Sequence, residues 1–378
     1  MRVYWYAPFN NTDELTLAER IALLGDHVVV QSLRTRFGQP LGSEGEAFEL
    51  VRNLPEPAGD DGGARGVRTR AQVAMRRAQR RARFLARTKF DVFHIHTLNT
   101  FTDGLAVPAL RRKRTPIILT VHNVRAHDQR MPRALETVLL RPLYRAADAL
   151  IVAHDALREQ LAHEFGVSEE KLHVIPHVVP DVENDGTVPL DSVGSPLCLF
   201  FGTFRANKGI PTLLEAVEHL GRDVDARFHF AGRGDPELER AVRDAATRDG
   251  RITAEIGYVQ PPRMRELYRS ASLVLLPYSS YSAQSGVLRE AYAFGIPVVA
   301  ANVGALGRAV LEEGTGWVTN PMDPRALTET IREALMNDGA RKLASEATHE
   351  IARRRSPDRT AAAIRSIYAR LVDAARLQ

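Results

Sequence analysis

Short apolar runs of strand length recur along this chain, each followed by a helical pattern, and the series starts twice. The first series is RVYWYAP (2–8), HVVVQSL (27–33), FDVFHIH (90–96), PIILTVH (116–122), ALIVAH (149–154) and KLHVIPH (171–177). The second is PLCLFFG (196–202), ARFHFAG (226–232), ITAEIGYV (252–259), SLVLLP (272–277) and PVVAA (297–301). Near-continuous apolar strands alternating with helices predict parallel sheets covered on both faces. Helices are expected near 14–24, where Gly25 stops the first, and near 211–220, 236–248, 261–271 and 287–294, followed by a long helical tail. Between the series, PDVENDGTVPLDSVGSP (180–196) is rich in Pro, Gly and Asp and reads as a linker. The fold class is α/β, with two doubly wound Rossmann-like domains, 1–179 and 197–357. Ligands are expected at the carboxyl ends of the strands.

At 378 residues, 44% hydrophobic and 26% charged, the chain suits two globular domains of ordinary size. The single cysteine, Cys198, lies in an apolar run, which excludes an internal disulfide and a multi-cysteine metal centre. The start, MRVYWYAPFNN, is too short in apolar residues for a signal peptide, and no segment reaches a membrane span of about 18 residues. A reducing cytoplasm is the expected setting. Charge is uneven: residues 1–180 hold 26 Lys and Arg against 20 acids, the remainder 25 against 26. From Arg65 to Lys89 the run holds nine Arg, one Lys and no acid. It reads as a helix near 68–87 with a small alanine-rich stripe, and follows a Gly/Asp/Arg segment (58–70) that reads as a loop. Such a surface suits an anionic membrane, at about 1 kcal/mol per cation, or serves only to solubilise the helix. With no aromatic platform or zinc motif, nucleic acid is not an expected partner.

Two segments carry chemistry. In FGTFRANKG (201–209), Arg205 and Lys208 follow a strand end and precede a helix, where each cation can bond a phosphate. A solvated loop with two ordinary cations is the competing reading. In SAQSGVLREAYAFGIPVVA (282–300), Gln284, Ser285 and Gly286 form a small-residue turn before a helix. The N–H groups of Gly286, Val287 and Leu288 would face an anion there, aided by the helix dipole. Glu290 lies about one turn further and could accept two hydroxyls of a ribose. Together these read as a nucleotide-sugar pocket, against the alternative of an exposed helix acid behind an ordinary cap.

In the first half, His122 ends a strand, as a structural or a functional group. His94 and His96 alternate onto one strand face. Without a nearby carboxylate they make a weak metal pair, and lining for an acceptor is the better reading. Asn10 and Asn11 occupy the first strand–helix turn. Asp223 and Asp225 imitate a metal-binding acid pair but precede a strand, so they read as a solvated turn.

FGTFRANKG, ELYRSASLVLLPYSSY and SGVLREAYAFGIPVVAANVGAL resemble the retaining GT-B glycosyltransferases of family four, strongly over about residues 197–320. HIH, TVH, AADALIVAH and VIPH carry a weaker resemblance. It implies a GT-B fold whose two domains face a central cleft, with the final helix, about 358–378, returning to the first domain. It implies transfer of a sugar from a nucleoside diphosphate sugar without a metal. Arg205 and Lys208 would hold the diphosphate and stabilise it as it leaves, and Glu290 the ribose. His122 would touch the donor sugar and aid catalysis. Thr203, Ser282, Gln284, Ser285, Gly286 and Val287 would complete the donor site, and Asn10, Asn11, His94 and His96 the acceptor side. Two positions depart from the family. Ser282 replaces the first of two glutamates, and Thr203 stands where an arginine is usual, a place Arg205 can take over; both fit a subgroup pattern. A basic acceptor domain favours a glycan or polyprenyl-diphosphate-linked acceptor of cell-surface polysaccharide synthesis, with the enzyme peripheral on the inner face of the plasma membrane. A small-molecule acceptor of secondary metabolism and a non-catalytic binding protein are the alternatives.

Overall fold

The structure is a computed structural model and describes residues 1–7, 12–32, 47–51, 89–96, 115–125, 133–182, 195–280 and 285–377. The expectations for Asn10, Asn11, Ser282, Gln284, the 58–70 loop, the basic helix at 68–87 and most of the 180–196 linker lie outside these residues. The chain divides into two compact units, Met1–Pro176 with Pro357–Gln378, and His177–Ser356. The first break falls a few residues before 179/180, inside VIPH and two residues past the short strand Leu172–Val174.

The first unit runs β1 (Arg2–Ala7), α1 (Thr12–Leu23), β2 (His27–Ser32), β3 (Glu49–Val51), β4 (Val92–Ile95), β5 (Ile117–Val121), α2 (Arg133–Ala146), β6 (Ala149–Val152), α3 (Asp155–Phe165) and β7 (Leu172–Val174). Every strand pairing is parallel, in the order β3-β2-β1-β4-β5-β6-β7. Trp5 lies opposite His94, and Phe93 opposite Ile117. Both faces of the central strands are buried: Tyr4, Trp5, Ile118 and Leu119 have no exposed surface. That accounts for the lack of polar alternation in the sequence.

The second unit repeats the plan: β8 (Leu197–Phe204), α4 (Ile210–His219), β9 (Arg227–Gly234), α5 (Pro236–Arg248), β10 (Ile252–Ile256), α6 (Pro261–Ser270), β11 (Leu273–Leu276), α7 (Gly286–Ala293), β12 (Val298–Ala301), α8 (Gly304–Glu313), β13 (Gly316–Thr319), α9 (Pro324–Met336) and α10 (Asp338–Arg354). Its parallel order is β10-β9-β8-β11-β12-β13. In both sheets the order reverses beside the first strand, which opens a crevice at the strand ends for a ligand. Cys198 is fully buried in β8, and burial pushes its thiol up to about 12, so it serves as a small core hydrophobe. The final strand β13 was not expected from sequence, because GWVT is short and half-exposed.

The last helix, α11 (Pro357–Arg376), belongs to the first unit and packs on α1. Arg365 Nε bonds Asp26 Oδ2 at 2.7 Å, and the buried Tyr368 hydroxyl meets His94 Nδ1 at 2.5 Å. Tyr368→Phe is expected to lower stability by about 1–3 kcal/mol, the cost of leaving a buried imidazole nitrogen without its partner. Urea unfolding followed by circular dichroism measures it. Among the described residues no helix is long and apolar enough to cross a membrane.

Candidate functional site

In the second unit the basic loop leaves β8 through Gly202, which takes φ 125°, and Thr203, which is exposed. Residues Ala206–Lys208 form one 3-10 turn, and Gly209 ends it at φ 68°. A Cβ on Gly209 would overlap the carbonyl oxygen of Pro277, just past β11, so this loop can seat itself only on a glycine. Two hydrogen bonds lace the loops: Ser279 N–H donates to Asn207 O at 3.0 Å, and Asn207 Nδ2 donates to Ser280 O at 3.3 Å. The basic loop therefore sits at the reversal of strand order, between the ends of β8 and β11.

Lys208 lies with its Nζ 3.7 Å from the centroid of the Tyr278 ring. That cation–π contact partly replaces water. Burial, and then repulsion from Arg205, lower its pKa from 10.5 to about 8. Two like charges held together at a strand end are a local cost that a bound anion relieves. The Tyr278 hydroxyl is 3.2 Å from Ser285 Oγ. Ser285 is buried and caps α7, where its Oγ accepts from Leu288 N–H at 3.4 Å. One of the three N–H groups expected to face an anion is therefore taken by the cap, and those of Gly286 and Val287 remain. A Cβ built on Gly202 would meet Val287 Cγ2 at 3.5 Å, so the end of β8 faces the first turn of α7. Arg205, Lys208, Ser285, Gly286 and Val287 thus gather at one end of one sheet. Tyr278 joins them; its place after Pro277 was the only sign of it in the sequence.

Glu290 is half-buried on α7, a turn and a half from the cap. The Tyr268 ring is fully buried, and burial and then the Glu290 charge raise its pKa well above the usual tyrosine range. The Glu290 charge is therefore felt at the Tyr268 hydroxyl.

With its pKa lowered to about 8, Lys208 should hold anion affinity nearly level between about pH 7, where the phosphate is fully ionised, and 8, and let it fall above 8, toward about tenfold per pH unit. The comparison that checks this is nucleoside diphosphate affinity against pH in the wild type and in Lys208→Met. The variant should bind more weakly at pH 7 and show a flatter profile above 8.

In the first unit, His94 is fully buried and both ring nitrogens are engaged, Nδ1 with Tyr368 and Nε2 with Thr120 Oγ1 at 2.8 Å. Burial, then the neighbouring His96 and His122, lower its pKa and keep it neutral. The expected acceptor-side role of His94 is corrected: it ties β4 to β5 and α11. His96 stacks on Trp5, with ring centroids 5.1 Å apart, and its Nδ1 lies 3.1 Å from Glu14 Oε1 and 3.3 Å from His122 Nε2. The expectation that no carboxylate stands near these histidines is also corrected. Glu14, in the first turn of α1, lies far from them in sequence and is brought in by the β1–α1 crossover. Glu14, His96 and His122 form the described group with metal-ligand spacing. Asp223 and Asp225 hold no such geometry: Asp223 pairs with Arg332 at 2.5 Å, and Asp225 accepts from Ser195.

Two family models match the chain: "Glycosyltransferase Family 4" over residues 15–182 and "Glycosyl transferases group 1" over residues 195–337. A D-inositol 3-phosphate glycosyltransferase of Xylanimonas cellulosilytica is 30% identical over 312 residues, which cover 74% of this chain and 72% of that protein. A sucrose-phosphate synthase of Thermosynechococcus elongatus superposes with a TM-score of 0.76 over 99% of this chain and 100% of its own, at 18% identity. HepE of Anabaena, solved in complex with UDP, superposes with a TM-score of 0.70 over 98% of this chain and 100% of its own, at 15% identity. The chain belongs to the group 1, family 4 glycosyltransferases, and it is a sugar-transferring enzyme of GT-B fold.

Proposed function

We propose that this glycosyltransferase takes its sugar from a nucleoside diphosphate sugar and transfers it with retention of configuration. The observation that carries the reading is the crowding of Lys208 and Arg205 at a strand end, joined through Tyr278 and Ser285 to the N-terminus of α7. As the glycosidic bond breaks, negative charge grows on the departing diphosphate. Cations and helix N–H groups already in place stabilise that charge more than they stabilise the bound donor, and this difference is what accelerates the step. Arg205, Lys208, Gly286 and Val287 take this role, Glu290 accepts the ribose hydroxyls, and Thr203, Ser282, Gln284 and Ser285 complete the donor site. This leaves no step that needs a metal on the diphosphate. On the first unit, His122 serves the donor sugar, and Asn10, Asn11 and His96 face the acceptor. HepE was solved with UDP, which supports a nucleotide-bearing donor for this chain.

The acceptor we propose is a glycan or a polyprenyl-diphosphate-linked glycan of cell-surface polysaccharide synthesis, with the Arg65 to Lys89 run resting on an anionic membrane surface. The basic balance of residues 1–180 supports an anionic acceptor. A small-molecule acceptor is the second reading, favoured by the relative named for D-inositol 3-phosphate. Thermal unfolding against UDP, GDP, ADP and TDP tests the donor reading. One nucleotide should raise the melting temperature, because it binds the folded chain only. A flat response to all four overturns the site. Turnover assayed against lipid-linked and soluble sugar acceptors separates the two acceptor readings.

A further inference from the structure

We propose that Glu14, His96 and His122 form a binding site for a zinc-type divalent transition metal ion, and that the filled site withholds His122 from sugar transfer. The three residues come from three elements at the strand-end side of the first sheet. Glu14 lies in the first turn of α1, His96 follows β4 and His122 follows β5. One donor atom from each lies within 4.8 Å of the other two. The closer edges are 3.1 Å, from Glu14 Oε1 to His96 Nδ1, and 3.3 Å, between His96 Nδ1 and His122 Nε2. Zinc bound tetrahedrally at its usual bond lengths separates its ligand atoms by about 3.3–3.5 Å. Two of the three edges match that spacing and the third lies within 4.8 Å, so a small side-chain adjustment would let one ion be shared by all three.

Both close contacts fall on the same nitrogen, His96 Nδ1. A neutral imidazole nitrogen offers either one proton or one lone pair, so it cannot make a full hydrogen bond to each neighbour. A metal ion resolves this by accepting a lone pair from each group. Glu14 is 4% exposed and His96 6%, so an ion there would be held away from bulk water, where its bonds to charged and polar ligands are strongest. Two histidines and one carboxylate are also the ligand set of three-ligand zinc sites that keep a fourth position open. Stacking on Trp5 fixes the His96 ring, and engagement of both His94 nitrogens removes the nearest competing imidazole. The three residues belong to the first unit and the Lys208 loop to the second.

The second clause rests on the proposed role of His122. A nitrogen that donates its lone pair to a metal cannot contact a donor sugar through that atom. Occupancy should therefore slow transfer instead of supporting it.

The test is titration of Co2+ into the full-length protein after chelator treatment, read by visible ligand-field absorption, with Zn2+ added to displace it. Saturation at equimolar metal with the intense bands of a four- or five-coordinate site is expected. His96→Ala and Glu14→Gln should lose the bands while melting cooperatively. Glu14→Gln keeps the shape of the side chain, so it covers the case in which loss of the His96 ring unfolds the unit. No bands in the wild type, or equal bands in both variants, would overturn the site, leaving a cluster that shares protons only. The spectrum does not depend on catalysis, so this result is independent of the donor reading. Zn2+ at site-saturating concentration should also lower the transfer rate at least tenfold; an unchanged rate with the site filled would overturn the withholding clause.

Discussion

Lys208→Ala is expected to lower kcat/KM for the donor by about 100–1,000-fold, the usual scale for removing one preorganised charge donor from a developing anion. The chain should remain folded. In the folded protein the ammonium is disfavoured by burial and by Arg205, so its pKa falls from 10.5 to about 8. A lysine depressed in this way binds its proton more weakly when folded, and below pH 8 its charge opposes folding. Stability should therefore rise as the pH moves from about 8 to 10.5. Alanine removes that opposition and loses the contact with Tyr278. A large kinetic loss with an unchanged or raised melting temperature is the expected signature. Steady-state kinetics and a thermal melt on the same sample measure both. Lys208→Arg should recover part of the rate, because a guanidinium keeps the charge but cannot place a compact ammonium over the Tyr278 ring. A wild-type rate in Lys208→Ala would remove the basic loop from the donor site.

How far the sequence could be read follows from the range of the interactions involved. The strands of the second unit other than β13 were legible because each is an apolar run ended by Gly, Pro or a polar turn, and α5 (Pro236–Arg248) starts sharply because Asp235 caps it and Pro236 opens it. Lys208, Arg205, Ser285 and Gly286 were legible because strand end, basic loop and helix cap are each local in sequence. What joins them was not. Tyr278 under Lys208 and the seating of Gly209 on Pro277 depend on β8 and β11 being neighbours, which comes from strand order and not from any local pattern. The Glu14–His96–His122 cluster was hidden for the same reason: the two histidines stood out in their own segments, but nothing local ties Glu14 to them. His94 shows the converse error. Its alternation with His96 suggested a shared functional face, but Tyr368, 274 positions later, claims one of its nitrogens.

Glu290→Ala should raise the donor KM about 100-fold or more with a smaller change in kcat. A carboxylate that accepts two ribose hydroxyls makes two charge-assisted bonds, each worth roughly 1.5–3 kcal/mol. They are present in the bound donor as well as in the transition state, so their loss falls on binding. The helix should survive the change, since alanine is the best helix former and Ser285 still caps α7. Loss of affinity alone would not show that the ribose is the partner, because the Glu290 charge is also felt at Tyr268. A donor lacking one ribose hydroxyl makes the distinction. The wild type should lose tenfold or more on the deoxyribose donor, whereas Glu290→Ala should treat the two donors nearly alike, because the partner of the missing hydroxyl is already gone. The coupling between the two changes is then the measured strength of the Glu290–ribose contact. Equal penalties in wild type and variant would place Glu290 outside the ribose site, and its role would reduce to the packing of α7 against Tyr268.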